Sequence, residues 1–333
     1  MTRSIVVTAI VLLLNPRSAV GQVTGDSGSP PGRAHHSVFY DEARQRVVLT
    51  GGSAVDSRRN VTDFDDLWSF DGVRWTALAK PGDPLSGIRI AADQQHHLYS
   101  LGGFADSGLG VLRLMDNGRW RRVNVNPSSV MRAEMGFVFD AARGRFVAFG
   151  GSMAGGRATS EVWEYDGLQW NKSAATPPPG RLGPAMVYDA RRKRTVLFGG
   201  MGARTGDASA PLFNDTWEFD GTTWTKASAL GPPPRLSPGV AYDSKRGVVL
   251  IFGGATHERV LNDLWSWDGT AWKKLAESGP EPRVMGNIAY DAKRDRVVLF
   301  GGRRGVPHNT DLGDTWEWDG ATWRRFTPAA ASP

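Results

Sequence analysis

The residues whose type and spacing best suit chemistry are arginines. Arg33, Arg132, Arg181, Arg235 and Arg283 each stand seven residues before a Tyr or Phe. A guanidinium is a rigid fork of donors that matches a carboxylate in bidentate fashion. Arranged around a channel mouth, five of them would form a cationic collar for carboxylates or acidic sugars. A residue recurring in nearly every unit can equally do one internal job in each, such as bonding a neighbouring loop carbonyl. Residues that break the repetition are the sharper candidates for a ligand-binding site: His35, His36 and Glu134 beside the arginine column, His257 followed by Glu258 and Arg259, and His308. A His facing a Glu across a channel suits general acid-base work, and either can ligate a metal. Six His in 333 residues is also what ordinary surface loops carry.

Other chemistries find no support. The chain has no cysteine, which excludes disulfides, thiolate metal ligands and a Cys nucleophile. No nucleophile, Gly-rich phosphate loop or metal cluster stands out, so no cofactor is expected. "TDFDD", Thr62 to Asp66, lacks the Gly and distal Glu of a calcium loop and reads as loop plus scaffold. The formal charge of +6 is dispersed rather than gathered in a tract, which disfavours a nucleic-acid partner. Met1-Thr2-Arg3, the apolar run from Ile5 to Leu14 and the small residues Ala19-Val20-Gly21 read as a cleavable signal peptide over residues 1–21. The mature chain is then expected to start near Gln22, secreted or periplasmic, monomeric and without an integral membrane segment.

Short elements position these residues. Gly pairs close hydrophobic runs at Gly51-Gly52, Gly102-Gly103, Gly150-Gly151, Gly199-Gly200, Gly253-Gly254 and Gly301-Gly302, which sets a period of about fifty residues. Each unit opens on a run ending in aromatic-Asp, as in "SVFYD", "GFVFD" and "NIAYD", then turns through a basic segment into the run ending in the Gly pair. An acidic-x-Trp element follows (Asp66-Trp68, Glu161-Trp163, Asp215-Trp217, Asp263-Trp265, Asp314-Trp316), then Asp-Gly-x-x-Trp, from Asp71 to Trp75 in the first unit and Asp319 to Trp323 in the last. Runs of about 4–8 β-branched and aromatic residues bounded by turn residues predict strands. Asp-Gly between them predicts hairpins of type I′. The second unit is degenerate, keeping only its Gly pair, Asp116-Asn117-Gly118 and Trp120. The expectation is an all-β protein, a six-bladed β-propeller with four antiparallel strands per blade.

Arg-x-x-x-x-x-x-Tyr-Asp, a strand ending in Gly-Gly, Asn-Asp-x-Trp and a closing Trp together resemble the Kelch repeat, of the galactose-oxidase-like propeller type. The resemblance covers residues 30–328, with blades at about 30–80, 81–126, 127–176, 177–229, 230–277 and 278–328, a linker at 22–29 and a tail at 329–333. It implies a module binding a glycan, peptide or protein through the loops that follow the Gly pairs, which share one face and differ in length and chemistry. Two alternatives stand beside it: a sugar-modifying enzyme of the Kelch mutarotase type acting on a sialic-acid-like substrate, and a structural module of the envelope. Galactose-oxidase-like copper chemistry uses a Cys-linked Tyr, which a chain without Cys lacks. Blades and repeat units run in phase, so the ring is expected to close by packing blade one on blade six.

Overall fold

The computed structural model describes the backbone of residues 18–20 and residues 28–79, 82, 85–103, 111–125, 133–152, 157–204, 209–227, 230–305 and 310–327. Six four-stranded antiparallel sheets follow one another along the chain, five built from four consecutive strands and the first interrupted after its second strand by the short strands Ser53–Val55 and Val61–Asp63, which form a separate small sheet. Their innermost strands are Ser37–Asp41, Ile88–Ala92, Gly136–Asp140, Ala185–Asp189, Gly239–Asp243 and Asn287–Asp291. Their outermost strands are Trp75–Ala79, Arg119–Arg122, Trp170–Lys172, Trp224–Lys226, Trp272–Ala276 and Trp323–Arg325. The fold is the six-bladed propeller expected, and the degenerate second unit is a full blade.

Alternation along the strands buries apolar side chains between neighbouring blades. One cluster joins Val47, Leu49, Phe70 and Trp75 of blade one to Ala289, Val298 and Phe300 of blade six. The closing Trp of a blade lies against the Phe before the Gly pair of the preceding one: Trp224 on Phe149, Trp272 on Phe198, Trp323 on Phe252 and Trp75 on Phe300, with ring centroids 4.9–5.5 Å apart. These tryptophans are inter-sheet packing. Trp75 and Trp272 also donate their indole N–H to Thr315 and Thr216 of the preceding blade.

The Gly pairs have a specific task at these seams. The second Gly donates its N–H to the carbonyl at the arginine-column position of the next blade: Gly52 to Leu85, Gly151 to Arg181, Gly200 to Arg235, Gly254 to Arg283 and Gly302 to Arg33, at 2.7–2.9 Å. A Cβ on Gly150, Gly199, Gly253 or Gly301 would fall 2.6–2.8 Å from the same carbonyl oxygens. Both glycines have positive φ, so the position excludes side chains on strain as well as on space. The last of these contacts runs from blade six to blade one, which closes the ring by packing as expected.

The hairpins depart from the expected turn. Phe70 pairs with Trp75, so Asp71 to Arg74 form a four-residue loop in which only Gly72 has positive φ. The Asp71 carboxylate accepts the N–H groups of Val73 and Arg74, an Asx turn in place of type I′, and the same bonds recur at Asp166, Asp220, Asp268 and Asp319. The two-residue turn with both central residues at positive φ occurs in degenerate blade two, at Asn117 (φ 48°) and Gly118 (φ 77°) between paired Asp116 and Arg119. On this lower face the basic turns pass under the hairpins of the next blade, Arg143 donating to the Gly221 carbonyl. Part of the "TDFDD" segment is also more ordered than a loop: Val61–Asp63 pairs antiparallel with Ser53–Val55 and parallel with Ser18–Val20.

Candidate functional site

The arginine column is scaffold, and the expected cationic collar is corrected on that account. The side chains of Arg33, Arg181, Arg235 and Arg283 are fully withdrawn from solvent. Each forms a forked pair with the acidic residue of its own blade's acidic-x-Trp element: Asp66, Asp215, Asp263 and Asp314, with shortest distances of 2.5–2.6 Å. Each also donates through Nη1 to the first Gly of its own Gly pair and through Nε to the carbonyl two residues upstream. The carboxylates in turn accept the indole N–H of Trp68, Trp217, Trp265 and Trp316. All three nitrogens of each fork are therefore engaged within the blade, and none of these four side chains is exposed at the channel mouth. Arg132 and His308 lie outside the described residues.

Two residues after each column position the chain bends through positive φ. The bend residues are His35 (φ 55°), Gly87 (76°), Glu134 (54°), Gly183 (56°), Ser237 (47°) and Met285 (58°). Amides and carbonyls link them around the axis: Gly87 N–H to His35 O, Gly183 N–H to Glu134 O, Ser237 N–H to Gly183 O and Met285 N–H to Ser237 O, at 2.8–3.1 Å. A backbone girdle thus runs around four of the six blade-to-blade steps at the channel mouth, and one conformation carries five different residue types. Below it runs a channel of about 340 Å³ lined by the inner strands, with Arg89 and Asn287 among its polar residues and Tyr40, Tyr188, Tyr242 and Tyr290 further down.

The structure therefore brings His35 and Glu134 together on one ring. Burial, then the charges of Arg303, Arg89 and His36, hold the His35 imidazole down to about 3, so it is neutral at physiological pH. Burial pushes the Glu134 carboxyl up while Arg89 pulls it back. His36 stands apart, fully buried in the seam between blades one and six: its Nε2–H donates to the Phe300 carbonyl at 3.1 Å, and its own carbonyl accepts from Asn287. Burial and then Arg33 hold it down to about 3 as well. His257 lies in a tight turn in which the Thr256 hydroxyl accepts the N–H groups of Glu258 and Arg259, on the blade-five loop. No group of three or more His, Cys, Asp or Glu able to hold a metal occurs among the described residues.

Sequence reasoning missed Arg89. It occupies the inner-strand position held by Ser37, Gly136, Ala185, Gly239 and Asn287 in the other blades. Five small or short residues and one Arg, in the blade whose own column position is Leu85, were a signal in plain view.

A regular six-bladed ring with a girdled polar mouth defines a repeat propeller whose variable chemistry sits on one face and in its axis. Residues 139–333 match the family model described as the KLHDC2/KLHL20/DRC7 Kelch-repeats domain. That stretch is more than half of the chain, and the protein belongs to this Kelch-repeat family. A Kelch propeller is consistent with a protein-interaction module, and among the described residues no helix is long and apolar enough to cross a membrane.

Proposed function

We propose that the protein is an exported Kelch-repeat module that binds a peptide, protein or glycan through the face bearing the girdle and the loops after the Gly pairs. The observation that carries this reading is the girdle itself, where one repeated backbone bend carries the half-buried, unrepeated His35 and Glu134, while Ser237 and Met285 at the same bend are buried and the repeated charges of the scaffold are paired inside the blades. Rigid framework with unrepeated display is the arrangement expected of a recognition surface. Peptide and glycan arrays, with affinity capture from envelope extracts, test it. Binding should fall at least tenfold in a His35→Ala, His257→Ala variant and stay unchanged in Thr270→Ala on the opposite face; the reverse ranking would sink the proposal.

A second reading is favoured by the electrostatic coupling of Glu134 to Arg89, which lines the channel: a sugar-modifying enzyme, with Glu134 as acid-base and a sialic-acid-like substrate. Accelerated anomerisation of N-acetylneuraminate that is lost in Glu134→Gln would replace the first reading. Export would be seen as a mature chain beginning near Gln22 by intact mass; cleavage there removes Ser18–Val20 and leaves the Ser53–Val55 and Val61–Asp63 hairpin on its own.

A further inference from the structure

The channel contains a guanidinium that the fold engages only weakly. Among the described residues Arg89 makes one hydrogen bond, from Nη1 to the Ile88 carbonyl at 3.3 Å, and that carbonyl already accepts the Ser37 hydroxyl at 2.9 Å. No carboxylate among the described residues lies within ion-pairing distance of it, whereas Arg33 engages two carbonyls and both oxygens of Asp66. The small residues at the equivalent positions are tightly placed: a Cβ on Gly239 would meet the Gly286 carbonyl at 2.7 Å. The Arg89 side chain is accommodated by entering the channel, where it lines a space of about 340 Å³ together with Asn287. That volume is within the range of small-molecule sites, roughly 300–1,000 Å³.

We propose that the axial channel is a binding site for a small monocarboxylate, anchored by the Arg89 fork and adjoined by Glu134. The site is distinct from the loop surface and holds whether or not the bound acid is turned over. A guanidinium in a narrow, partly desolvated channel attracts an anion more strongly than one on the surface, and its planar fork selects a carboxylate. Glu134 then acts as a proton-linked partner. Its carboxyl is already raised by burial and held back by Arg89; a ligand carboxylate on Arg89 removes that support and adds a like charge, so Glu134 takes up a proton as the ligand binds. On the girdle Glu134 is joined by His35, Gly87, Gly183, Ser237 and Met285. The imidazoles of His35 and His36 are neutral there, and Arg303, the other cation bearing on His35, is paired with Asp311.

Calorimetry on the full chain tests this with acetate, pyruvate and glucuronate, and with acetamide and glucose as neutral counterparts. At least one carboxylate should bind saturably and the neutral compounds should not. Affinity should rise as pH falls from 7.5 to 5.5. Arg89→Ser, the residue blade one carries, and Arg89→Asn, the residue of blade six, should each weaken binding at least tenfold with unchanged circular dichroism. Glu134→Gln should bind with the pH dependence gone. Absence of saturable carboxylate binding, or undiminished binding in both Arg89 variants, would overturn the site, and a pH dependence that survives Glu134→Gln would remove Glu134 from it. His257→Ala alone, on the blade-five loop, should leave this binding intact, so the failure of the channel site and that of the recognition surface can be told apart.

Discussion

Two arginines with the same side chain behave oppositely because one is enclosed by its blade and the other is not. Arg181 is sealed against Asp215, so Arg181→Ala should cost about 3–5 kcal/mol in chemical denaturation by stranding a buried carboxylate. A double change to Arg181→Met, Asp215→Leu should recover most of that loss. The indole nitrogens offer a test with the opposite sign. Trp75 and Trp272 find a Thr hydroxyl on the preceding blade, whereas Trp224, whose counterpart there is Val162, has a buried N–H without a partner. Val162→Thr supplies the missing acceptor and should raise stability by about 1 kcal/mol, seen as a higher Tm. His36 sets a pH dependence. Its folded pKa of about 3 lies below the unfolded 6.5, so the unfolded chain binds the proton first and stability falls as pH drops below 6.5 toward 3. His35, also held down to about 3, adds an equal slope in the same window, so the total of the two, about 1.4 kcal/mol per pH unit each, should fall by about half in His36→Met, the residue that blade three carries as Met135.

At the level of elements, strands and hairpins were legible because a period of two and Asp-Gly punctuation depend on local chemistry alone. The turn type was not: whether Asp-Gly is the whole loop or its first half depends on cross-strand register, and the pairing of Phe219 with Trp224 settles it as the first half. Gly269 shows what the longer loop demands. It sits at φ 99° with the Arg192 guanidinium 2.6 Å from where a Cβ would be. Gly269→Ala should destabilise by about 1–3 kcal/mol in equilibrium unfolding, mostly through backbone strain. Gly118→Ala, in the two-residue turn of blade two, should disturb that blade's hairpin alone. The arginine column was legible as a column, yet the sequence does not say to which side of the bend its side chains turn. That direction separates scaffold Arg33 from the half-buried His35, two residues away. Arg89 escaped notice because it breaks the pattern on a strand, while irregular residues were sought in loops and beside the column.

For the molecule as a whole, the fold was readable from six in-phase repeats, each unable to bury its faces alone. All six sheets are complete from Ser37 onward, so a chain shortened to begin at Pro30 should keep a single cooperative unfolding transition, and its loss would show that the preceding segment supplies a strand. The seam between blades six and one is joined by Gly302 N–H to the Arg33 carbonyl, by the Lys293 N–H to the Tyr40 hydroxyl and by Trp75 on Phe300. Gly200 with Arg235, Arg191 with Tyr242 and Trp272 on Phe198 make the same three contacts between blades four and five. A junction crossed through space is thus built like one that the polypeptide also crosses in sequence. The order in which the blades are strung is then a matter of covalent convenience: the ring has no first blade, and a permuted chain opened between blades four and five would present its loops and its channel in the same places.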